Sequence, residues 1–388
     1  MKRGSFVAFL FFGGRSKTIQ AFRRLTEAAL ILLVSLTVPA EARVITDAAS
    51  RQVDIPDRVE RVICSGPGAL RLLTYLGAQE RAVAVDSMEK RKPRFEARPY
   101  AFANPRFKTL PLFGDFRGHD HPELILGLDP QPQVIFKTFA GMGHDPAELQ
   151  KKTGIPVVVL NYGDLGTNRD RFYQALTIMG AVLDKKTRAD ELIAFFENVI
   201  SDLKNRTRDV SDDLRPTCFV GGIAFRGPHG FQATEPGYPP FVFAGLRNLA
   251  HDPKMEKTAL RHSNIAKEKI VMWDPRFLFM DLSTLQMGNG SGALYELKTD
   301  PAYRGLTAVK NGRVYGLLPY NWYTQNFGSI LANAYFLGKQ FFPEQFTDID
   351  PAAKADELYV FLVGKPVFKQ MNRAFDNLAF KRMPLEGD

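Results

Sequence analysis

Lys185–Arg206 reads KKTRADELIAFFENVISDLKNR. Ala189, Leu192, Ile193, Phe196, Val199, Ile200 and Leu203 recur at helical spacing, and charges fill the opposite face. No glycine or proline interrupts the stretch, so it predicts one helix of about 30 Å. A shorter stripe precedes it, formed by Phe172, Leu176, Met179 and Val182. On the N-terminal side lie four short apolar runs: Arg61–Cys64, Ala82–Val85, Gln133–Phe136 and Pro156–Leu160. Helical patterns at Ala69–Leu76, Pro122–Leu128 and Asp145–Thr153 separate them. After a polar stretch, Thr207–Arg215, the pattern restarts. Thr217–Val220, Phe277–Asp281 and Arg313–Gly316 read as strands, and Phe327–Phe341 and Ala352–Val363 as helices. The runs are apolar throughout rather than alternating, which is the pattern of parallel strands covered on both faces. The expected fold is α/β, with two Rossmann-like lobes joined by a single long helix and a ligand cleft between them. The expected divisions are 43–168 for the first lobe, 169–208 for the helical segment and 209–388 for the second lobe.

Arg23-Arg24, the apolar run Ala28–Val38 and Ala40-Glu41-Ala42 are the three parts of a cleavable signal peptide. Cleavage is expected after Ala42, with residues 1–42 removed and the mature protein free in the periplasm. A retained N-terminal anchor is the alternative reading. No cysteine stands at the cleavage site to carry a lipid. Beyond residue 42 no run approaches the ~20 apolar residues of a membrane span.

The chain of 388 residues carries a formal net charge of +9. No basic stripe interleaved with aromatics and no nucleic-acid motif accompanies it. A solvated basic surface and a preference for anionic ligands both fit the charge. The two cysteines, Cys64 and Cys218, are neither a disulfide framework nor a zinc pattern. They fall in different lobes, so a bridge between them would lock a hinge.

Ligands of doubly wound sheets bind beyond the carboxyl ends of the strands. In the first lobe those positions are Ser65, Gly66 and Gly68, then Asp86, Lys137 and Tyr162. The glycine-bracketed loop Gly114–Gly118 adds Arg117. In the second lobe Gly221–Gly230 places Arg226 and His229 among glycines, two residue types suited to an oxyanion or a metal. Tyr320, Trp322 and Tyr323 are clustered aromatics with polar tips, suited to a bulky ligand or to packing between lobes. His119 and His121, beside Asp115 and Asp120, are a sparse set for a transition metal held by protein alone. The balance points to a metal chelate or an oxyanion held by charge-assisted hydrogen bonds. No G-x-S-x-G elbow, HExxH or P-loop is present, so an extracytoplasmic enzyme is the lesser reading.

Val44–Ala48, Arg51–Pro56 and Arg61–Ile63, then Leu76–Ala78 with Val83–Val85, occur in an order that resembles a known family. Trp273–Phe279, Leu306–Tyr315 and Phe342–Phe346 continue the likeness to about residue 365. The family is the periplasmic binding proteins for iron–siderophore, haem, cobalamin and related complexes. The resemblance implies a monomeric receptor with no intrinsic cofactor, two lobes about a rigid helix, and a small metal-containing ligand in the cleft. It also implies a membrane permease and ATPase of ABC type as partners. A ligand sensor on the same fold is the alternative. Members of the family often carry a surface glutamate on the first helix of each lobe for docking. Here Arg71 stands at the first such position, and Phe241–Leu246 offers no glutamate at the second. That departure puts the family's docking salt bridges in doubt.

Overall fold

The computed structural model describes residues 42–252 and 262–385. The signal-peptide reading falls outside them, save Ala42. Arg43–Asp388 form one compact unit. The sequence pattern resolves into strands as follows. A two-stranded sheet, β1 (Ala42–Thr46) and β2 (Gln52–Pro56), opens the chain. Next come β3 (Val62–Ser65), β4 (Val85–Asp86), β5 (Leu112–Asp115), β6 (His119–Asp120), β7 (Val134–Thr138) and β8 (Val157–Leu160). Strands β3, β7 and β8 pair in parallel in the order β3-β7-β8, and every residue of all three is buried. That two-sided burial is why their sequences are apolar up to the carboxyl ends, where Ser65 and Lys137-Thr138 stand.

A second small sheet has the order β4-β5-β6. Its last pair is antiparallel, so Gly114–Gly118 lies in a hairpin rather than a free loop. The expected strand at Ala82–Val85 is shorter than its sequence suggests: Ala82 makes an isolated bridge to Val62, and β4 itself covers Val85–Asp86.

The second half supplies β9 (Thr217–Gly221), β10 (Ala233–Thr234), β11 (Arg247–Asn248), β12 (Ser263–Asn264), β13 (Phe277–Asp281) and β14 (Val314–Leu317). Four of these form a parallel sheet in the order β11-β9-β13-β14, and β10 pairs with β12. The linking helix spans Lys186–Thr207 and buries Ala189, Leu192, Phe196, Val199, Ile200 and Leu203. Phe196 packs edge-on to Phe172 at 5.1 Å and to Phe327 at 6.1 Å, which ties this helix to elements on both sides of it.

The helix Pro351–Val363 packs against both Phe327–Phe341 and the first helix, Ala69–Tyr75. Phe361 stacks on Phe195 of the linking helix at 3.9 Å, and Lys365 Nζ donates to the Ala103 carbonyl at 2.7 Å. The end of the chain therefore braces the first half. No described helix is long and apolar enough to cross a membrane. Cys64 and Cys218 are free and buried, in β3 and β9, and burial pushes both thiols up.

Candidate functional site

Beyond the carboxyl end of β14 the chain runs through Tyr320–Asn326 into the helix Phe327–Phe341. Tyr323 and Thr324 both hold left-handed backbone, at φ 51° and 64°. Non-glycine residues adopt that region at a cost of order 1 kcal/mol, so the surrounding contacts must impose it. Buried Asn326 secures the turn, its Nδ2 donating to the carbonyls of Tyr320 at 3.0 Å and Trp322 at 3.2 Å. This segment is where the two halves of the molecule meet. The Tyr323 hydroxyl donates to Asp86 Oδ2 at 2.5 Å and accepts from the Arg117 N–H at 3.0 Å. Two residues earlier, Asn321 Nδ2 donates to the Ala224 carbonyl at 2.8 Å.

Those two fastenings reach two turns of the same tripeptide, Phe116-Arg117-Gly118 and Phe225-Arg226-Gly227. Arg117 and Arg226 have φ 63° and 58°, and both are exposed. Each guanidinium lies 5.4 Å from the ring of the phenylalanine before it. Neither forms an ion pair among the described residues. Arg91 adds a third guanidinium, 4.7 Å from the Phe116 ring. An aromatic face orients a guanidinium without neutralising it. The seam thus carries cations free to meet an anion, presented by loops at the carboxyl ends of strands from both halves.

Asp86 stands at the end of β4 and caps the next turn by accepting from the Met88 N–H at 3.0 Å. Burial pushes its carboxyl up to about 7, and Glu89 adds to the rise; Tyr323, the Met88 N–H and Arg98 oppose it. Behind it lies a buried charged cluster that the sequence reading missed. Arg98 pairs with Glu89 at 2.7 Å and Glu96 at 2.6 Å, and Tyr100 donates to Glu89 at 2.8 Å. These charges sit in an irregular stretch with no periodicity, and nothing in their spacing marks them as internal.

The remaining expected site residues divide. Lys137 is not free. Its ammonium, fully buried, pairs with Asp120 at 2.6 Å and donates to Ser65 Oγ at 3.2 Å and the Gly118 carbonyl at 3.1 Å. Gly66 and Gly68 have positive φ, but protein fills the space above Gly68. A Cβ there would fall 2.1 Å from the Tyr162 ring and 2.7 Å from the Thr324 methyl. Tyr162 is buried in a stack with Phe139 and Phe327 and donates to the Gln325 carbonyl at 2.7 Å. Tyr320 is buried and donates to Glu235. Trp322 is half-buried, edge-on to Phe375 at 5.9 Å. His229 Nε2 donates to the Phe225 carbonyl at 2.8 Å and lines a cavity of about 360 Å³ with Lys267, Glu296 and Tyr303. So Asp86, Arg117 and Tyr323 converge with Trp322 at the seam, and Arg226 and His229 lie in the turn fastened through Asn321. Ser65, Gly66, Gly68, Lys137 and Tyr162 lie beneath it, while Tyr320 is directed into the second half.

Arg71 needs correction. It is no surface docking residue: it is 1% exposed and directed at the Trp322–Gln325 backbone. The helix Pro239–Ala244, the second docking position considered, contains no acid. His121 reaches Asp115 at 3.3 Å on the surface, and among the described residues no cluster of three or more His, Cys, Asp or Glu could hold a metal ion.

Two α/β lobes about one long helix, with functional loops meeting at the seam, define a cleft-type solute receptor. The family model described as periplasmic binding protein matches residues 62–320, and the chain belongs to that family. The molybdate-binding protein MolA of Haemophilus influenzae is 26% identical over 359 residues, covering 84% of this chain and 93% of that protein. The structure of MolA bound to molybdate has a TM-score of 0.60 at 22% identity, covering 83% of this chain and 98% of that one. A periplasmic solute-binding protein from Veillonella parvula has a TM-score of 0.65 at 17% identity, covering 87% and 99%. The protein is accordingly a solute-binding component of an ABC importer and not an enzyme.

Proposed function

We propose that this receptor captures a metal oxyanion of the molybdate and tungstate type at the seam and delivers it to a permease–ATPase complex. One observation carries the reading: the matched Phe-Arg-Gly turns, each presenting an unpaired arginine, fastened to one short segment between the lobes. Two guanidinium forks suit a small tetrahedral anion. The relation to MolA adds support from a protein whose ligand is molybdate. A ferric chelate with peripheral carboxylates is the second reading, favoured by the Phe116 ring beside Arg91 and Arg117. Export with cleavage after Ala42 would place the protein in the periplasm. Docking on the permease would use surfaces other than Arg71.

The test is melting of the purified mature protein with molybdate, tungstate, sulfate, ferric siderophores and haem. A ligand at a hundred times its Kd adds about 2.7 kcal/mol, enough to raise Tm by several degrees. Molybdate and tungstate should do so and sulfate should not. A shift with a chelate alone would replace the oxyanion reading with the second one.

A further inference from the structure

We infer that Arg71 is a positioning residue of the anion site. The inference rests on the oxyanion reading of the seam, but its mechanical part can be measured without ligand. Arg71 projects from the first helix, Ala69–Tyr75, every residue of which is buried, so its base is rigid. Its Nη1 donates to the Gln325 carbonyl at 2.7 Å and to the Tyr162 hydroxyl. Its Nη2 donates to the carbonyls of Trp322 at 3.2 Å and Tyr323 at 3.3 Å. One guanidinium therefore gathers three carbonyls of a four-residue stretch from the other lobe. Tyr162 donates to the same Gln325 carbonyl and so reinforces the grip.

The charge of Arg71 forms no ion pair among the described residues, although the side chain is buried. The rings of Tyr100 and Tyr162 lie 5.2 Å and 5.7 Å from its guanidinium carbon. Burying an unpaired cation is costly. Core packing alone would be served as well by an apolar residue. The guanidinium does what an apolar residue cannot: it holds Tyr323 and Thr324 in left-handed backbone. That backbone aims the Tyr323 hydroxyl at the Arg117 turn and places Asn321 against the Ala224 carbonyl. Arg71 thereby sets the spacing of the two arginine turns without touching the ligand. Its buried charge also favours an anion above it.

Trp322 reports on this segment directly. The chain has only two tryptophans, so Trp273→Phe leaves Trp322 as the sole indole. In that background Arg71→Lys and Arg71→Met are compared by emission, acrylamide quenching and molybdate dissociation. An ammonium cannot span three carbonyls as a fork does. Both variants should red-shift Trp322 emission, increase quenching, and speed molybdate release about tenfold or more. Full recovery of emission and release rate by lysine would reduce Arg71 to a point charge and overturn the positioning role. Unchanged emission in both would overturn it too. Tyr162→Phe is the milder variant, and should shift emission the same way by less. If neither Arg71 variant folds, Tyr162→Phe decides: a shift supports the role and no shift sinks it. Emission changes without any molybdate binding by the parent protein would leave Arg71's role standing and remove the oxyanion reading instead.

Discussion

The two Phe-Arg-Gly turns share sequence, a left-handed arginine and ring-to-guanidinium distance, but they are held very differently. The first belongs to a hairpin. The Phe116 N–H donates to Ser87 Oγ at 3.0 Å, and the Arg117 N–H to the Tyr323 hydroxyl. The Gly118 carbonyl accepts from Lys137 at 3.1 Å and from the His144 N–H at 3.0 Å. The second turn closes on itself through Phe225 N–H to the Gly227 carbonyl at 3.0 Å. Its other supports are imidazoles: His229 at the Phe225 carbonyl and His262 stacked 4.7 Å from the Phe225 ring. The first arginine is thus presented by a rigid, ion-paired base. The second is presented by a short loop propped by two histidine rings. On the oxyanion reading, this asymmetry suits one lobe to holding the anion first and the other to closing over it.

The largest expected effect removes what the turns share. Changing both Arg117 and Arg226 to alanine should weaken molybdate binding by roughly a thousandfold, at 1.5–3 kcal/mol for each charge-assisted hydrogen bond lost. Isothermal titration of each single variant against the double one measures how far they act together. If the turns grip one anion from both sides, the losses will not add. Additive losses would mean two separate contacts.

A second measurement separates the lobes by pH. Asp86 and Asp281 each end a parallel strand and accept the N–H two residues on, from Met88 at 3.0 Å and Ser283 at 2.8 Å. Burial pushes Asp86 up to about 7 and Asp281 up to about 6. The groups facing Asp86 are Tyr323 from the other lobe and Glu89 and Arg98 from its own. Both carboxyls hold their proton more tightly in the folded chain than in the unfolded one. Their contribution to stability is therefore fully present below about pH 4 and is lost as pH rises to about 7. Asp86→Asn should abolish the upper part of that decline and gain up to ~4 kcal/mol at pH 8, at roughly 1.4 kcal/mol per pKa unit. Denaturant unfolding across pH reads it directly. A variant curve parallel to the parent's would assign the slope to Asp281 and leave Asp86 unburdened.

The fastenings should differ in the same sense. Tyr323→Phe strips a buried carboxylate and the Arg117 N–H of their partner, an expected loss of about 2 kcal/mol. Asn321→Ala removes one bond to a carbonyl at the margin of the second turn, about 1 kcal/mol. Equal losses would contradict the asymmetry.

The fold was legible because its determinants are periodic. The stripe on Lys186–Thr207, the apolar β3, β7 and β8, and the helix Phe327–Phe341 all bury one continuous pattern. The seam was half legible. Strand order places Asp86 and Arg226 at carboxyl ends, while a glycine-bracketed loop points to Arg117 and clustered aromatics point to Tyr323. What could not be read is pairing between distant residues. Lys137 looked like a free cation until Asp120, seventeen positions earlier, was found against it. Arg71 looked like a surface residue because its acceptors are backbone carbonyls about 250 positions away, which no side-chain pattern records. Gly68 was read as room for a ligand, although the room is taken by Tyr162 and Thr324.

The smallest expected effect probes the second turn alone. His262 is held below the usual imidazole range by burial and by the neighbouring His229, whose ring lies 5.2 Å away. Its neutral form is therefore the one the fold favours. The contribution is present above the ordinary histidine pKa and is lost as pH falls below about 6.5. Acidification should loosen the Phe225 stack and leave the first turn, with its Lys137–Asp120 pair, in place. Amide exchange at residues 222–230 should accelerate between pH 7 and pH 5.5, after correction for intrinsic rates, while residues 112–120 stay constant. His262→Phe keeps a stacked ring without a titrating nitrogen and should remove that pH dependence. If both turns loosen together in acid, the seam opens as one unit and the division of labour between the lobes fails.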